Sequence, residues 1–250
     1  MELAEKRYEQ WLAQQGLEPE LRTELDAMQS DAEKITDAFY RDLEFGTAGL
    51  RGVLGAGTNR MNVYVIRRAT QAVAQYLNET DLPKTVAIGH DSRIKSDVFA
   101  KVAAGVFAAN GVKVNIWPVL MPVPTVSFAT RYLHTSAGVM VTASHNPGKY
   151  NGYKVYGSDG CQLTLDAAEI VLKNIESVPM FDGAKTISYD DGVADGRINY
   201  IPQSVIDSYL DEVSKQGIHT DLVKSSGLKV VYTPLNGTGN KPVRAILKKI

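Results

Sequence analysis

The sequence has 250 residues, enough for one large domain or two smaller ones. Its formal net charge is −1, from 27 basic and 28 acidic residues, so bulk electrostatics favours neither nucleic acid nor an anionic membrane as a partner. One cysteine excludes an intrachain disulfide, and no apolar run approaches the length of a membrane-spanning helix. The charged N-terminus lacks the apolar core of a signal peptide, which predicts a cytoplasmic enzyme or binding protein.

The first forty residues are predicted to be helical. They are rich in charge, and their apolar residues are spaced for one helix face. Gly16 and Pro19 divide the segment into two predicted helices. We interpret residues 1–40 as a helical lead-in that packs on the domain after it.

A glycine-rich segment follows at residues 45–57, FGTAGLRGVLGAG, with five glycines in thirteen residues. Such a density indicates backbone in unusual conformations or in close approach to another group. Asn62 then begins a predicted helix as its N-cap.

Strands and helices alternate in the next part of the chain. The predicted elements are strand 85–89, helix 96–109 with Ser96 as its cap, strand 112–117, a helix from about 124 to 133, and strand 138–141. This alternation predicts right-handed crossovers and a mostly parallel sheet.

The pattern changes after residue 150. Asn151-Gly152 precedes the short run 153–156, and a Ser-Asp-Gly turn separates that run from 161–165. These are hairpin signals, so an antiparallel edge is expected on the sheet. Cys161 is expected to be packed within this region. A helix over 166–177 and a turn-rich stretch over 179–200 complete the unit. We predict an α/β fold over residues 41–200, a three-layer αβα domain with a mixed, mostly parallel sheet.

Residues 201–250 are predicted to begin a second, similar domain. They contain a helix from 202 to about 215, an apolar strand at 228–232, a loop at 233–240 and a last helix opened by Pro242. One strand and two helices cannot bury both faces of a sheet. The sequence is therefore expected to be a fragment that stops inside this second domain.

A serine follows the buried strand 138–141, in the segment 142–147, TASHNP. Ligands of open α/β sheets bind beyond the carboxyl ends of the strands, so Ser144 is well placed for chemistry. A hydrolase would need a base that reaches Ser144 and an acid that orients the base. Adjacent side chains usually point apart, so His145 is not an obvious base, and the Gly-x-Ser-x-Gly elbow is missing.

A phosphoserine fits this loop better than a hydrolase nucleophile. Backbone N–H groups and polar side chains of a strand-end loop can surround a phosphate. The strand after Asn151 could bring the amine of Lys154 back towards the loop. A lysine near other cations can have a lowered pKa and act as a general acid/base, although the spacing equally suits a solvated strand lysine.

Four motifs in order resemble those of the α-D-phosphohexomutase superfamily, and most closely its phosphoglucomutase/phosphopentomutase group. They are FGTAGLRG at 45–52, GHDSR at 89–93, TASHNP at 142–147 with NGYKVY at 151–156, and VYTPLNGTG at 231–239. The resemblance implies that Ser144 carries the transferable phosphate, which is one ligand of a Mg²⁺ ion. It implies that Lys154 is the general acid/base and that His145 assists as a hydrogen-bond donor or proton handler.

Two arginines complete the implied site. The resemblance assigns Arg51 and Arg93 to the substrate-binding residues: Arg51 would bind phosphate or substrate oxygens, and Arg93, with Asp91, would also support the Ser144 loop. The guanidinium fork suits such oxygens.

The implied activity is that of a phosphosugar mutase, an isomerase. Phosphate would move between C1 and C6 of a hexose, or C1 and C5 of a pentose, through a sugar bisphosphate that also serves as the activator. The superfamily's Asp-Gly-Asp-x-Asp-Arg metal loop has no counterpart in this sequence, and Asn236 stands where the group often has histidine. The 250-residue chain is therefore expected to lack full activity, with the Asp ligands of Mg²⁺ downstream.

One alternative function and one further loop stay open. A non-catalytic sugar-phosphate-binding or scaffold module on the same fold would use the same loops without turnover. The glycine-rich loop 236–240 precedes a helix as a phosphate-binding loop does, yet it lacks the Gly-Lys-Ser/Thr ending of a P-loop. We interpret it as a strand–helix turn.

Overall fold

A mixed β-sheet lies at the centre of the protein, which is described by a computed structural model over residues 1–249, apart from the side chain of Lys224. The strands are β1 (Leu50–Val53), β2 (Thr85–His90), β3 (Lys113–Ile116), β4 (Ala137–Val141), β5 (Tyr150–Gly157) and β6 (Ile198–Tyr200). Their order in the sheet is β1-β5-β4-β2-β3-β6. Three pairs of neighbours are parallel: β4 with β2, β2 with β3, and β3 with β6. Strand β5 is antiparallel to both of its neighbours, β4 and β1. The predicted mixed, mostly parallel sheet is confirmed.

Helices cover both faces of this sheet. They are α1 (Glu2–Ala13), α2 (Pro19–Ala27), α3 (Ala32–Phe39), α4 (Val63–Glu79), α5 (Ser96–Ala109), α6 (Val123–Tyr132), α7 (Leu165–Ser177), α8 (Tyr189–Ala194), α9 (Gln203–Ser214), α10 (Thr220–Ser225) and α11 (Asn240–Lys249). Over the described part of the chain, no helix is both long and apolar enough to cross a membrane. The predicted three-layer αβα architecture is confirmed.

Strand β4 shows how the two layers are built. Val139 and Val141 belong to the core beneath α4, α5 and α7, whereas Met140 belongs to the core beneath α6 and α9. Successive side chains of a strand point to opposite faces, so a strand covered on both sides must be apolar throughout. All five residues of β4 are buried.

The lead-in forms three helices where two were predicted. The additional break comes at Asp31, whose carboxylate accepts a hydrogen bond from the Lys34 N–H at 3.0 Å and caps α3. Trp11 of α1 packs edge-to-face on Tyr64 of α4, with ring centroids 5.7 Å apart. On α2, the Glu24 carboxylate accepts a bond from the Ala56 N–H at 2.9 Å. The lead-in thus contacts both the domain and its glycine-rich segment.

The antiparallel edge has a different origin from the one predicted. The glycine-rich segment forms β1, which occupies the outer side of β5, while residues 161–165 form only a bridge from Gln162 to Tyr156. Because β5 already pairs on both sides, the second arm of the predicted hairpin has no edge to join. Cys161 is accordingly exposed, and the expectation that it is packed is wrong.

The C-terminal part also departs from prediction. The predicted strand 228–232 is not formed, and Val231 is 100% exposed. A strand needs a partner for its backbone groups, and none lies beside this segment among residues 1–249. Helix α9 packs on α6 through Val205 and Leu210, and α11 packs on α9. The boundary near residue 200 and the second domain stay predictions.

Candidate active site

Ser144 lies in a strained turn just beyond the end of β4. Its φ of 58° is in the left-handed region, which residues other than glycine seldom adopt. The Ser144 N–H donates to the Thr142 hydroxyl at 2.9 Å, which holds the turn. Strained backbone of this kind persists only where surrounding contacts over-determine it, and it is concentrated at functional sites. The side chain of Ser144 is exposed at the carboxyl end of the sheet.

Asp91 anchors the Ser144 turn to the end of the neighbouring strand β2. The Thr142 hydroxyl donates to Asp91 Oδ2 at 2.6 Å. The other carboxylate oxygen, Oδ1, accepts from the Ser96 hydroxyl at 2.7 Å and from the Arg93 N–H at 2.9 Å. The prediction that Ser96 is the N-cap of α5 is wrong, because Lys95 holds that position and Ser96 is the first residue of the helix. The Ser96 hydroxyl binds Asp91 instead.

The Arg93 guanidinium binds the backbone of the Ser144 loop. Its two terminal nitrogens donate to four carbonyl groups, those of Ser144 (2.7 Å), Asn146 (2.6 Å), Pro147 (3.0 Å) and Tyr150 (3.1 Å). Its Nε lies 3.4 Å from Asp91 Oδ2. These four bonds use the four N–H donors of the two terminal nitrogens, while the fifth donor, on Nε, lies in an ion pair with Asp91. The geometry therefore gives Arg93 a positioning role on the loop.

His145 lies beside Ser144 and points to the same side. Its Nδ1 is 3.3 Å from Ser144 Oγ, so the expectation that the adjacent side chains point apart is wrong. The left-handed backbone at Ser144 turns the chain between the two residues and brings the side chains together. Among the described residues, His145 has no hydrogen bond to a carboxylate that could orient it. The contact thus lacks the third member of a hydrolase triad.

Lys154 and Arg51 share one face of the sheet. Arg51 of β1 lies opposite Gly152 of β5, and Lys154 is two residues further along β5, so the two side chains are diagonal neighbours. Lys154 also pairs with Met140, which lines the cleft described below. Desolvation, followed by the positive charge of Arg51, lowers the pKa of Lys154, and Asp91 opposes this shift. Lys154 is thus a half-buried lysine beside a second cation, not a fully solvated one.

Replacing Lys154 with methionine is expected to stabilise the fold at neutral pH. The pKa of Lys154 is lower in the folded chain than its ordinary 10.5, so a charged Lys154 costs stability at pH 7. As pH rises from the folded pKa towards 10.5, the unfolded chain binds more protons and that cost disappears. Lys154→Met should raise Tm at pH 7 by roughly 2 °C or more, and the gain should shrink as pH rises.

Thermal melts of Lys154→Met across pH 6 to 11 (~0.5-unit steps) measure this effect. The matched control is Lys113→Met, which changes an exposed lysine of β3. A gain at pH 7 no larger than that of the control, or one that grows with pH, would contradict the expected electrostatic cost.

The Ser144 loop forms one wall of a cleft of about 940 Å³. Ser144, His145 and Arg93 line it, whereas Lys154 and Arg51 lie beside it on the sheet and are not part of its lining. The opposite wall is the loop 234–240. The Ser92 hydroxyl, on the first wall, donates to the Asn236 carbonyl at 3.3 Å.

Sequence reasoning missed this second wall. The density of glycine and asparagine at 236–240 was the available signal, but no local pattern places that loop opposite Ser144.

The described residues do not fit a Mg²⁺ site by themselves. Mg²⁺ demands near-octahedral coordination by oxygen, and a phosphate on Ser144 would be one ligand. Within residues 1–249, no group of three or more His, Cys, Asp or Glu residues could hold a metal ion. The carboxylate behind the loop, Asp91, is already bonded to Thr142, Ser96 and Arg93.

Comparison with known proteins gives one family. The model for phosphoglucomutase/phosphomannomutase, alpha/beta/alpha domain I, matches residues 42–180. The phosphoglucomutase of Staphylococcus aureus strain N315 is 38% identical over 225 residues, which are 89% of this chain and 39% of that protein. The chain thus spans about two fifths (39%) of the length of the curated relatives that it matches.

Solved structures agree with this comparison. A Thermus thermophilus protein assigned as a phosphomannomutase is 28% identical, with a TM-score of 0.67 over 83% of this chain and 43% of that chain. The open form of the Paramecium exocytosis-sensitive phosphoprotein parafusin, a phosphoglucomutase, is 16% identical, with a TM-score of 0.63 over 84% of this chain and 42% of that chain. The latter likeness concerns the fold alone.

Proposed function

This chain belongs to the phosphoglucomutase/phosphomannomutase family, and we propose that Ser144 carries a phosphoryl group that it exchanges with a sugar phosphate. The observation that carries the proposal is the construction of the Ser144 turn. A serine in the left-handed conformation is displayed at the mouth of a cleft. Arg93 holds the surrounding carbonyls, and Asp91 holds Thr142 beneath it. Phosphoryl transfer depends on positioning of this kind more than on covalent work by the protein.

In the first step, phosphorylated Ser144 gives its phosphate to a hydroxyl of a sugar monophosphate. The P–Oγ bond breaks and a new P–O bond forms to the sugar. The neutral amine of Lys154 accepts the sugar hydroxyl proton, and the departing Oγ takes a proton from His145, whose Nδ1 lies 3.3 Å away. The product is a sugar bisphosphate. After it turns around, the Ser144 hydroxyl accepts the phosphate from the other carbon and returns its proton to His145. The Lys154 ammonium gives its proton to the departing sugar oxygen. The net change moves phosphate between C1 and C6 of a hexose, or C1 and C5 of a pentose.

The surroundings of Lys154 and Arg51 support their proposed roles. A general acid/base works best when its pKa is close to the working pH, and desolvation lowers the pKa of Lys154 in that direction. Arg51 is exposed on the same sheet face and can bind phosphate oxygens. His145, 3.3 Å from Ser144 Oγ, would donate a hydrogen bond or handle a proton. Arg93 is a positioning residue in this proposal.

The proposed reaction also involves a Mg²⁺ ion whose full set of ligands the described residues do not supply. A Mg²⁺ ion beside the phosphate would neutralise charge there, but its further ligands are absent from residues 1–249. We therefore expect the 250-residue chain to hold the phosphoserine part of the site without sustained turnover. A sugar bisphosphate would act as the activator by phosphorylating Ser144. The single cysteine is consistent with a cytoplasmic location.

Intact-mass analysis tests the phosphoserine directly. The purified chain, incubated with Mg²⁺ and a hexose 1,6-bisphosphate or pentose 1,5-bisphosphate, should gain about 80 Da, one phosphoryl group, mapping to Ser144. Ser144→Ala should abolish the gain, and Ser158→Ala, which changes an exposed turn serine, should retain it. Turnover of the monophosphate in the same preparation should stay far below that of a full-length relative.

Two outcomes would contradict parts of the proposal. No mass gain with either bisphosphate would favour a non-catalytic sugar-phosphate-binding module. Turnover close to that of the full-length relative would show that residues 1–250 suffice for catalysis.

A further inference from the structure

The loop 236–240 lines the same cleft as Ser144, although its sequence lacks the Gly-Lys-Ser/Thr ending of a P-loop. Asn236 and Thr238 line the same cleft as Ser144 and His145. Contact between the walls runs through the Ser92 hydroxyl, which donates to the Asn236 carbonyl at 3.3 Å. A phosphoryl group on Ser144 would therefore project into a cleft that both loops line.

The first wall has few hydrogen-bond donors left for that phosphate. The N–H groups of Arg93 are engaged by loop carbonyls and Asp91. The Thr142 hydroxyl donates to Asp91, and the Asn146 N–H donates to the Ala143 carbonyl at 3.1 Å. A phosphate dianion presents three strong acceptor oxygens, and each is stabilised by a donor. The turn that displays Ser144 therefore commits most of these donors to its own fold, and His145 is the side chain beside Ser144 that stays available.

The second wall carries donors that have no partner. Among residues 1–249, neither the half-buried Thr238 hydroxyl nor the exposed Asn236 amide makes a side-chain hydrogen bond. The loop backbone around them is held in place. The Gly237 N–H donates to the Pro234 carbonyl at 2.6 Å, and the Val243 N–H donates to the Gly239 carbonyl at 2.9 Å.

Side chains also pack closely on this loop. A Cβ on Gly239 would lie 2.2 Å from the Tyr232 hydroxyl oxygen, so the tip of that side chain lies directly against the Gly239 backbone. A fixed loop with unpartnered donors is suited to bind an anion without rearrangement.

We propose that Thr238 and Asn236 bind the phosphoryl group at Ser144, donating hydrogen bonds to its terminal oxygens from the wall opposite the serine. This inference rests on the proposed function, since it supplies the phosphate that the two side chains bind. It replaces the interpretation of 236–240 as a simple strand–helix turn. Both donors are neutral, so they add hydrogen bonds to the site without adding positive charge.

Thr238→Val tests the inference with little change of shape. Titration of the isotope-labelled chain with inorganic phosphate, followed by the amide resonances of residues 236–240 and 144–146, reports the affinity. Loss of a hydrogen bond to a charged group should weaken phosphate binding about tenfold or more. The matched control is Thr233→Val, because Thr233 lies in the same segment, accepts from the Leu235 N–H at 3.4 Å and does not line the cleft. It should bind phosphate as the wild type does.

Asn236→Asp provides a second variant, in which a negative charge faces the phosphate. It should weaken binding more than Thr238→Val, and the loss should be smaller at high salt because the repulsion is screened. Amide spectra of both variants confirm that they are folded. Wild-type affinity in both folded variants would overturn the inference, as would the absence of any phosphate-induced shift in 236–240 of the wild type.

Labelling of Ser144 by the bisphosphate separates this inference from the proposed function. If the wild type is labelled and Thr238→Val shows the same dependence on bisphosphate concentration, the inference fails while the phosphoserine stands. If phosphate shifts the loop resonances and Thr238→Val weakens the shift, yet Ser144 is never labelled, the anion site stands and the mutase proposal fails.

Discussion

Arg93→Lys is expected to slow phosphorylation of Ser144 by about a hundredfold or more, corresponding to ~2.7 kcal/mol of transition-state stabilisation. Lysine keeps the positive charge but has three donors on one nitrogen, whereas the Arg93 guanidinium reaches four carbonyls of the loop and Asp91. Charge-assisted hydrogen bonds contribute roughly 1.5–3 kcal/mol each, so losing two of them accounts for the expected effect. The rate of mass gain at Ser144 in bisphosphate measures it.

Amide exchange distinguishes a positioning role for Arg93 from direct substrate contact. If Arg93 shapes the loop, Arg93→Lys should accelerate hydrogen exchange in residues 144–150 together with the loss of labelling. Arg131→Lys, on the exposed side of α6, is the matched control and should change neither. Reduced labelling with wild-type exchange would instead support the substrate-binding role implied by the family resemblance. Unchanged labelling would show that the Ser144 loop keeps its shape without the Arg93 guanidinium.

The central strands could be predicted from sequence because their pattern is local. β2 and β4 are short, mainly apolar runs followed by polar loops, and helices of ordinary length separate them along the chain. β1 could not be predicted in this way. Its residues lie in a glycine-rich segment, and it is a strand only because β5, a hundred residues later, pairs with it. The segment 228–232 shows the converse, since its apolar, β-branched residues find no partner strand in the described chain.

The site divides along the same line. Ser144 could be located from the strand-to-loop transition, and Lys154 from the turn that precedes it. The bonds of Asp91 and Thr142 could not be predicted from local pattern, because they depend on β2 and β4 lying side by side with their carboxyl ends together. The supporting role of Asp91 was implied only by the family resemblance. The contact between Ser144 and His145 depends on the positive φ of Ser144, which could not be predicted because serine seldom adopts it. The second wall of the cleft required the path of the chain between residues 200 and 240.

Gly152→Ala is expected to be a strongly destabilising single-methyl change near the site. Gly152 lies in β5 with β4 on one side and β1 on the other. A Cβ there would lie 2.5 Å from the Thr142 carbonyl oxygen and 2.8 Å from that of Leu50. Both contacts are with backbone, so no side-chain rotation can relieve them. Overpacking of a closed site typically costs about 1–3 kcal/mol, and we expect the upper end or beyond.

The change should lower Tm by roughly 6–12 °C, as estimated from ~3 kcal/mol in a chain of this size. Gly46→Ala is the matched control, because a Cβ on Gly46 meets nothing within 4 Å and its loss of flexibility should leave Tm within roughly 2 °C of wild type.

The effect of Gly152→Ala should extend beyond stability to the phosphorylation of Ser144. Gly152 faces Arg51 across the strand pair, and its carbonyl accepts the Thr142 N–H at 3.0 Å. Strands that separate at this point move Arg51 away from Lys154 and loosen the turn that displays Ser144. Phosphorylation of Ser144 should therefore fall in Gly152→Ala even at temperatures where the variant is fully folded, and a folded variant with wild-type labelling would show that the site tolerates movement between these strands.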